Sequence, residues 1–287
     1  MTIFLGTGAM GAALTIAAVR DGGSAVVWNR SPQRAHALTR TPGVSAAEDP
    51  RDAVTAGDVI VTCLLDHASV HEVLDPLVAD LAGRTVINMT TTTPNQSREL
   101  AAWAAAHDIA YLDGAIMAVP EMIGEPGSMI FYSGSPLVFG KHRKLLDRWG
   151  SSEFFGPDPG LAALSDMAML TGMYAMIGGF LHGTAMVGAA GVPATAFARR
   201  QGPFLAAMAG QLAGYAATID AADYTGAGQQ SLRFTEAALS TLIESSADEG
   251  ISTELIDPVR ELVRRQIAAG FGDHGTARIL EELRSSR

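Results

Sequence analysis

Residues 161–192, LAALSDMAMLTGMYAMIGGFLHGTAMVGAAGV, form a nearly unbroken apolar run with no internal proline. Such a run is too long for a strand and reads as one long helix. Only Asp166, Tyr174 and His182 interrupt it with ionisable side chains. Burying a carboxylate alone costs several kcal/mol, so Asp166 requires a surface, a partner or a cleft. Asp166 and Tyr174 lie eight residues apart. At about 100° per residue that is two turns along and roughly 80° round, so both can line one side of a groove. The run is long enough to span a membrane. Its Gly- and Ala-rich composition, with no basic flank and no second span, favours a buried central helix instead. On that reading His182 is a hydrogen-bonded core histidine.

A chain of 287 residues, 48% hydrophobic and 17% charged, has material for one large or two ordinary folded domains. Its net charge of −10 argues against nucleic acid and anionic membranes as partners. The N-terminus carries no basic-then-apolar leader. The single cysteine, Cys63, excludes an internal disulfide and suits a reducing, cytoplasmic setting. No His/Cys/Asp cluster stands out by metal-ligand spacing, so no metal is expected.

The first residues, TIFLGTGAMG, run from a short β segment into Gly6-x-Gly8-x-x-Gly11 and then an Ala-rich helix to about Arg20. In this context Gly6, Thr7, Gly8, Ala9, Met10 and Gly11 form a dinucleotide-binding turn. The glycines allow a tight turn and close backbone approach, and the helix N-terminus offers N–H groups to a pyrophosphate. A second strand, SAVVW (24–28), follows. Binding of NAD would want an acid at its end, for the ribose 2′-OH. The chain has Asn29, Arg30, Ser31 and Arg34 there. Two cations and a hydroxyl suit a 2′-phosphate, so the expected cofactor is NADP(H).

Strands over 57–66, 84–89, 109–117, 127–134 and 153–156 alternate with helices over 67–82, 95–107 and 136–149. This pattern predicts a Rossmann-type, doubly wound, mostly parallel α/β sheet. Ligands bind outside the carboxyl ends of such strands. The loops at 64–67 and 88–93, with Cys63, Leu64, Leu65, Asn88 and Thr90, should therefore flank the nicotinamide. Beyond GPDPG (156–160) no strand is evident, and helical periodicity recurs over 203–219, 228–248, 253–269 and 274–285. The division expected is 1–158 for the NADP-binding domain and 159–287 for an all-α domain built on the long interdomain helix. One long apolar helix does not easily centre a compact domain by itself. An intertwined homodimer, with active sites at the junction, is the natural way to cover it.

Six segments carry a further signal: GTGAMG and VWNRSPQRA, generic to dinucleotide binding, then the more specific LDGAIMAVPEMIG (112–124), FYSGS (131–135) and SDMAMLTGMY (165–174), and the tail GFGDHGTARILEEL (270–283). Together they resemble the imine reductase and reductive aminase family, part of the wider β-hydroxyacid dehydrogenase group with its 6-phosphogluconate-dehydrogenase-like fold. The resemblance implies NADPH-dependent reduction of a C=N bond in a reciprocally exchanged dimer. It places Asp166 where hydroxyacid dehydrogenases keep a catalytic lysine, and matches Tyr174 to a tyrosine of the imine-reducing branch. It also implies a substrate pocket of Thr91, Met117, Val119 and Met173, with Phe234, Thr235 and the loop 270–275 reaching in from the partner chain.

The residue inventory agrees. The only lysines are Lys141 and Lys144, both before the helical half, and no arginine lies in 151–197. An imine accepts hydride well as its iminium cation, which a carboxylate stabilises and an ammonium would repel. The stretch Asn88-Met89-Thr90-Thr91-Thr92-Thr93-Pro94 departs from the family's NxTNGTP pattern at Thr91. That departure favours reduction of preformed, cyclic imines over true reductive amination, and the resemblance implies a lean toward (R)-amines from the aspartate at position 166. Two other readings stay open: an NADP-dependent carbonyl reductase of the hydroxyacid type, and a non-catalytic NADP-binding dimer.

Overall fold

The computed structural model describes residues 1–226 and 228–284. It divides into two compact units, Met1–Thr171 and Gly172–Arg287.

In the first unit, eight strands form one sheet: β1 (Thr2–Leu5), β2 (Ala25–Trp28), β3 (Val44–Ala46), β4 (Val59–Thr62), β5 (Thr85–Asn88), β6 (Ala110–Met117), β7 (Met129–Gly134) and β8 (Ser151–Phe154). Their order is β3-β2-β1-β4-β5-β6-β7-β8. Every neighbouring pair is parallel except β6 with β7. The sheet is buried on both faces, as parallel sheets require. Along β1, Phe4 points into one core while Ile3 and Leu5 point into the other. Val61 and Ile60 of β4 divide in the same way. Trp149 closes the first core, meeting Phe4 edge-on and donating from its indole N–H to the Leu14 carbonyl at 2.9 Å.

The helices of this unit are α1 (Ala9–Val19), α2 (Pro32–Leu38), α3 (Pro50–Thr55), α4 (His67–Leu74), α5 (Val78–Leu81), α6 (Pro94–Ala106) and α7 (Pro136–Leu146). The helix expected over 67–82 is broken by a 3-10 turn at Asp75–Leu77, where Pro76 cannot donate to the ladder. The helix expected to 149 stops at Leu146, and the strand expected at 153–156 runs over Ser151–Phe154. The three-residue β3 and six-residue α3 are too short to leave a periodic signal.

The long apolar run forms α8 (Leu161–Ala189). It is the one helix among the described residues long and apolar enough to cross a membrane. Its first turn is fastened to the first unit. Arg98 of α6 grips Asp158 through two hydrogen bonds of 2.8 Å, and Asp158 accepts from the Gly160 N–H. The Ser133 hydroxyl donates to the Pro159 carbonyl and accepts from the Ala162 N–H. Ala162 then packs on Ala115 and Phe131 of the sheet. The division between compact units therefore falls inside the helix, beyond its docked turns.

The second unit continues with α9 (Ala194–Ala209), α10 (Leu212–Ala221), α11 (Leu232–Asp248), α12 (Asp257–Gln266) and α13 (Ile279–Arg284). The helix expected over 203–219 is two helices, parted at Gly210 and Gln211, and Pro203 lies inside the first. The segment expected as one helix to 269 turns into a π-helical stretch at Ile267–Phe271, where Gly270 takes φ +94°. The end of the helix expected to 285 lies outside the described residues. Among the described residues of this unit only Tyr224, Leu232 and Val263 are buried hydrophobics, whereas thirteen large hydrophobics are exposed, Leu181, Phe204 and Leu212 among them.

Candidate functional site

At the carboxyl edge of the sheet, β1 ends in Gly6, whose φ of +99° is strained for any other residue. A Cβ on Gly6 would strike the Cys63 carbonyl, and one on Gly11 would strike the Gly6 carbonyl. A Cβ on Gly8 would meet nothing within 4 Å. Two glycines thus close strand and helix together, and the third leaves backbone open to a ligand. The helix α1 that follows has no side-chain cap and no acid in its first turn. Its leading N–H groups are left for an anion.

A cavity of about 610 Å³ opens above this turn. Of the sequence-predicted residues, Gly6, Gly8, Ala9, Met10, Gly11, Asn29, Arg30, Ser31, Arg34, Cys63, Leu64 and Leu65 all line it. Asn29 ties the wall together, accepting from the Thr7 N–H at 2.9 Å and donating to the Ser31 carbonyl at 3.1 Å. The Thr7 hydroxyl is buried and has no partner in the protein. An unanswered hydroxyl, free helix N–H groups and two arginines fit a phosphorylated dinucleotide. The wall also holds Trp28, Ser69 and Glu72, which sequence reasoning missed. Glu72 stands 3.7 Å from Arg30, but both are exposed. Such a loose surface pair holds little energy, so a phosphate dianion can take Arg30 from it. Burial pushes the Cys63 thiol up to about 11, so it packs as an inert wall atom.

Asn88 and Thr90 are buried beneath the loops and do not line this cavity. They hold the edge in place. The Thr90 hydroxyl accepts from the Leu64 N–H at 2.9 Å. Asn88 accepts from the Thr62 hydroxyl at 2.8 Å and donates to Asp113 at 3.2 Å. Asp113 also accepts from the Tyr111 hydroxyl at 2.9 Å and the Ser97 hydroxyl at 3.1 Å. Ser97 in turn pairs with the Thr92 hydroxyl at 2.7 Å. Thr93, last of the four threonines, caps α6 in a reciprocal capping box with Gln96. Thr91 is exposed.

Asp166, in the second turn of α8, is only 5% exposed. Burial raises its carboxyl to about 6. Asp113 is raised to about 7: burial dominates, its three hydrogen-bond donors oppose, and the charge of Asp166 adds to the rise. Both carboxyls are thus raised toward neutrality, chiefly by burial. Sequence reasoning missed Asp113, although a lone acid in the apolar strand LDGAIM is the same signal that singled out Asp166. Met117 packs against Phe131 and Ala115, and Val119 is exposed.

The second unit carries Tyr174, Met173 and Phe234, all exposed, and Thr235, whose hydroxyl lies 2.6 Å from that of Thr276. His182 is buried there and bonded to the Ser246 hydroxyl at 3.0 Å, a structural role.

The likeness to known proteins covers nearly the whole chain. Residues 2–156 match the NAD binding domain of 6-phosphogluconate dehydrogenase, and residues 158–285 match the NADPH-dependent reductive aminase-like C-terminal domain. The chain is 34% identical to an NADPH-dependent reductive aminase of Aspergillus oryzae, over 96% of its own length and 94% of the relative's. A reductive aminase from Aspergillus terreus, solved with NADPH and ethyl levulinate, superposes with a TM-score of 0.94 at 36% identity, covering 98% of each chain. An imine reductase from Myxococcus stipitatus, solved with NADP+, does so at 0.92 and 31%, covering 99% of each.

Asp113 gives a pH test. Its folded value of about 7 lies above an ordinary carboxyl near 3.8, so the folded state holds the proton longer than the unfolded chain. Stability from this group is greatest below about pH 4 and declines as pH rises toward about 7. Replacing Asp113→Asn is expected to flatten the fall in urea midpoint between those limits. An unchanged slope would assign the titration elsewhere.

Proposed function

Since the chain belongs to the NADPH-dependent reductive aminase and imine reductase family, we propose that it reduces the C=N bond of preformed, often cyclic, imines to amines with NADPH. The observation that carries this reading is the buried Asp166 on a helix with neither lysine nor arginine. Residues 1–158 bind the cofactor, and residues 159–287 supply the substrate pocket and the dimer contact.

The N–H groups at Gly8 to Gly11 and the Thr7 hydroxyl hold the pyrophosphate, with Asn29 fixing the turn. Arg30, Ser31 and Arg34 hold the 2′-phosphate. Leu64 and Leu65, kept in place by Asn88 and Thr90, bound the nicotinamide side. NADPH, when bound, supplies the hydride. Asp166, with a carboxyl near 6, is matched to an imine nitrogen: it hands over a proton or faces the iminium as its counter-ion. Hydride on carbon then cancels the cation, and imine, proton and NADPH give amine and NADP+. Tyr174 donates a hydrogen bond to the nitrogen. Thr91, Met117, Val119 and Met173 line the substrate side, with Phe234, Thr235 and loop 270–275 coming from the partner chain.

The partner is a second copy. A unit with three buried hydrophobics and thirteen large exposed ones among its described residues has little core of its own. A homodimer sharing α8 and its neighbours covers that surface. A single cysteine, unable to form an internal disulfide, suits the cytoplasm.

NADPH oxidation with 2-methyl-1-pyrroline, beside a simple ketone and a 3-oxo acid, tests the activity. The imine is expected to be the preferred substrate, and Asp166→Ala to slow it by about 10²-fold or more while keeping NADPH affinity. Turnover with the oxo acid alone would contradict the reading. In the same assay, replacing Arg30 and Arg34 by alanine should raise the KM for NADPH about tenfold or more and leave that for NADH unchanged. For the assembly, Leu181→Asp, at a position 59% exposed in the single chain, is expected to convert a dimer to monomers by light scattering. A monomeric wild type would overturn the dimer.

A further inference from the structure

On α4, the residues Ser69, Glu72 and Val73 share the face that lines the nucleotide cavity. A different face carries His67 and His71, one turn apart and 22% exposed at each side chain. Opposite them stands Glu99 of α6. One of its oxygens, Oε2, lies 2.7 Å from His67 Nε2 and 3.0 Å from His71 Nε2.

We propose that His67, His71 and Glu99 form a binding site for a divalent transition-metal ion of the zinc type, which ties α4 to α6 beside the cofactor cavity.

The three ligand atoms all lie within 4.8 Å of one another. A tetrahedral zinc with bonds of about 2.0–2.2 Å needs them about 3.4 Å apart, so small side-chain adjustments complete the set. Spacing of i,i+4 on a helix presents both imidazoles to one point. The second ring nitrogen of His71 is already engaged: Nδ1 faces Asp75 Oδ1 at 3.0 Å. That carboxylate–histidine pair fixes the tautomer that leaves Nε2 free as a ligand and raises its basicity. The Trp103 ring meets His71 edge-on at 5.8 Å and shields one side. Glu99 is half exposed, which leaves solvent a fourth position and the ion a way in. Imidazole nitrogens with one carboxylate favour zinc, nickel or copper over calcium or magnesium. No aspect of the reduction needs this ion. It braces the helix that walls the nucleotide cavity, in the same unit.

The test uses full-length protein without a histidine tag, dialysed against EDTA and titrated with zinc chloride by calorimetry. One ion per chain with a micromolar or tighter dissociation constant is expected, together with a rise in melting temperature. Cobalt(II) should give the intense visible absorption of a four-coordinate site. His71→Ala and Glu99→Gln should each weaken zinc binding more than about tenfold, and Asp75→Asn about tenfold. Circular dichroism checks that each variant is folded, and Glu99→Gln, at a half-exposed position, keeps the test open if His71→Ala unfolds. Absence of zinc uptake by the wild type, or uptake unchanged in folded Glu99→Gln, would overturn the site.

Discussion

The two-pronged hold of Arg98 on Asp158 fixes where the long helix begins, and the placing of Asp166 depends on it. The pair is bidentate at 2.8 Å, and the Arg98 guanidinium draws the Asp158 carboxyl down to about 2, helped by the Gly160 N–H. Asp158 therefore stays charged at any working pH. Ser133 completes the anchor by bonding the backbone on either side of the first turn. With the start of α8 locked to β7 and α6, its second turn carries Asp166 into a buried position that a free helix would avoid. The cost of burying that carboxylate is met by cooperative packing of the sheet unit, and it appears as a carboxyl raised toward neutrality.

Behind Asp166, a polar seam runs through the carboxyl edge of the sheet. From Leu64 it passes to Thr90, Asn88, Asp113, Ser97 and Thr92, each link a hydrogen bond. In a parallel sheet buried on both faces such a seam is costly unless it is satisfied throughout, and here its members are paired. It gives the loops after β4 and β5 a fixed shape without placing charge in the cofactor cavity. It also holds a second acid, Asp113, whose carboxyl burial likewise raises.

Much of this was legible in the sequence because the chemistry is local. The turn Gly6–Gly11 and the arginines after β2 sit within one βαβ unit, and they converge on one cavity. Asp166 stood out as a lone acid in an apolar helix. Asp113 offered the same signal on a strand, but a strand of alternating faces hides it better than a helix does. The cluster of His67, His71 and Glu99 escaped sequence reasoning, because Glu99 is 28 residues from His71 and only the packing of α6 on the sheet brings it near. Asn88 and Thr90 sit at the right edge but act from beneath it, since register, not composition, decides which side chains face the ligand. The breaks at Pro76 and Gly210 fell inside helices drawn from apolar periodicity, which is blind to the donor that proline lacks and to the backbone freedom of glycine. The exposed apolar faces of the second unit follow from the sequence as well: a helix apolar all round, in a stretch with few other core residues, cannot be covered by its own chain.

The most direct measurement is the pH profile of kcat/KM for a cyclic imine with NADPH, in the wild type and in Asp166→Asn. The wild type should show a limb with a midpoint near 6, where the Asp166 carboxyl titrates, and the asparagine variant should be slow and without that limb. An identical limb in both proteins would contradict a role for Asp166 at the reacting nitrogen.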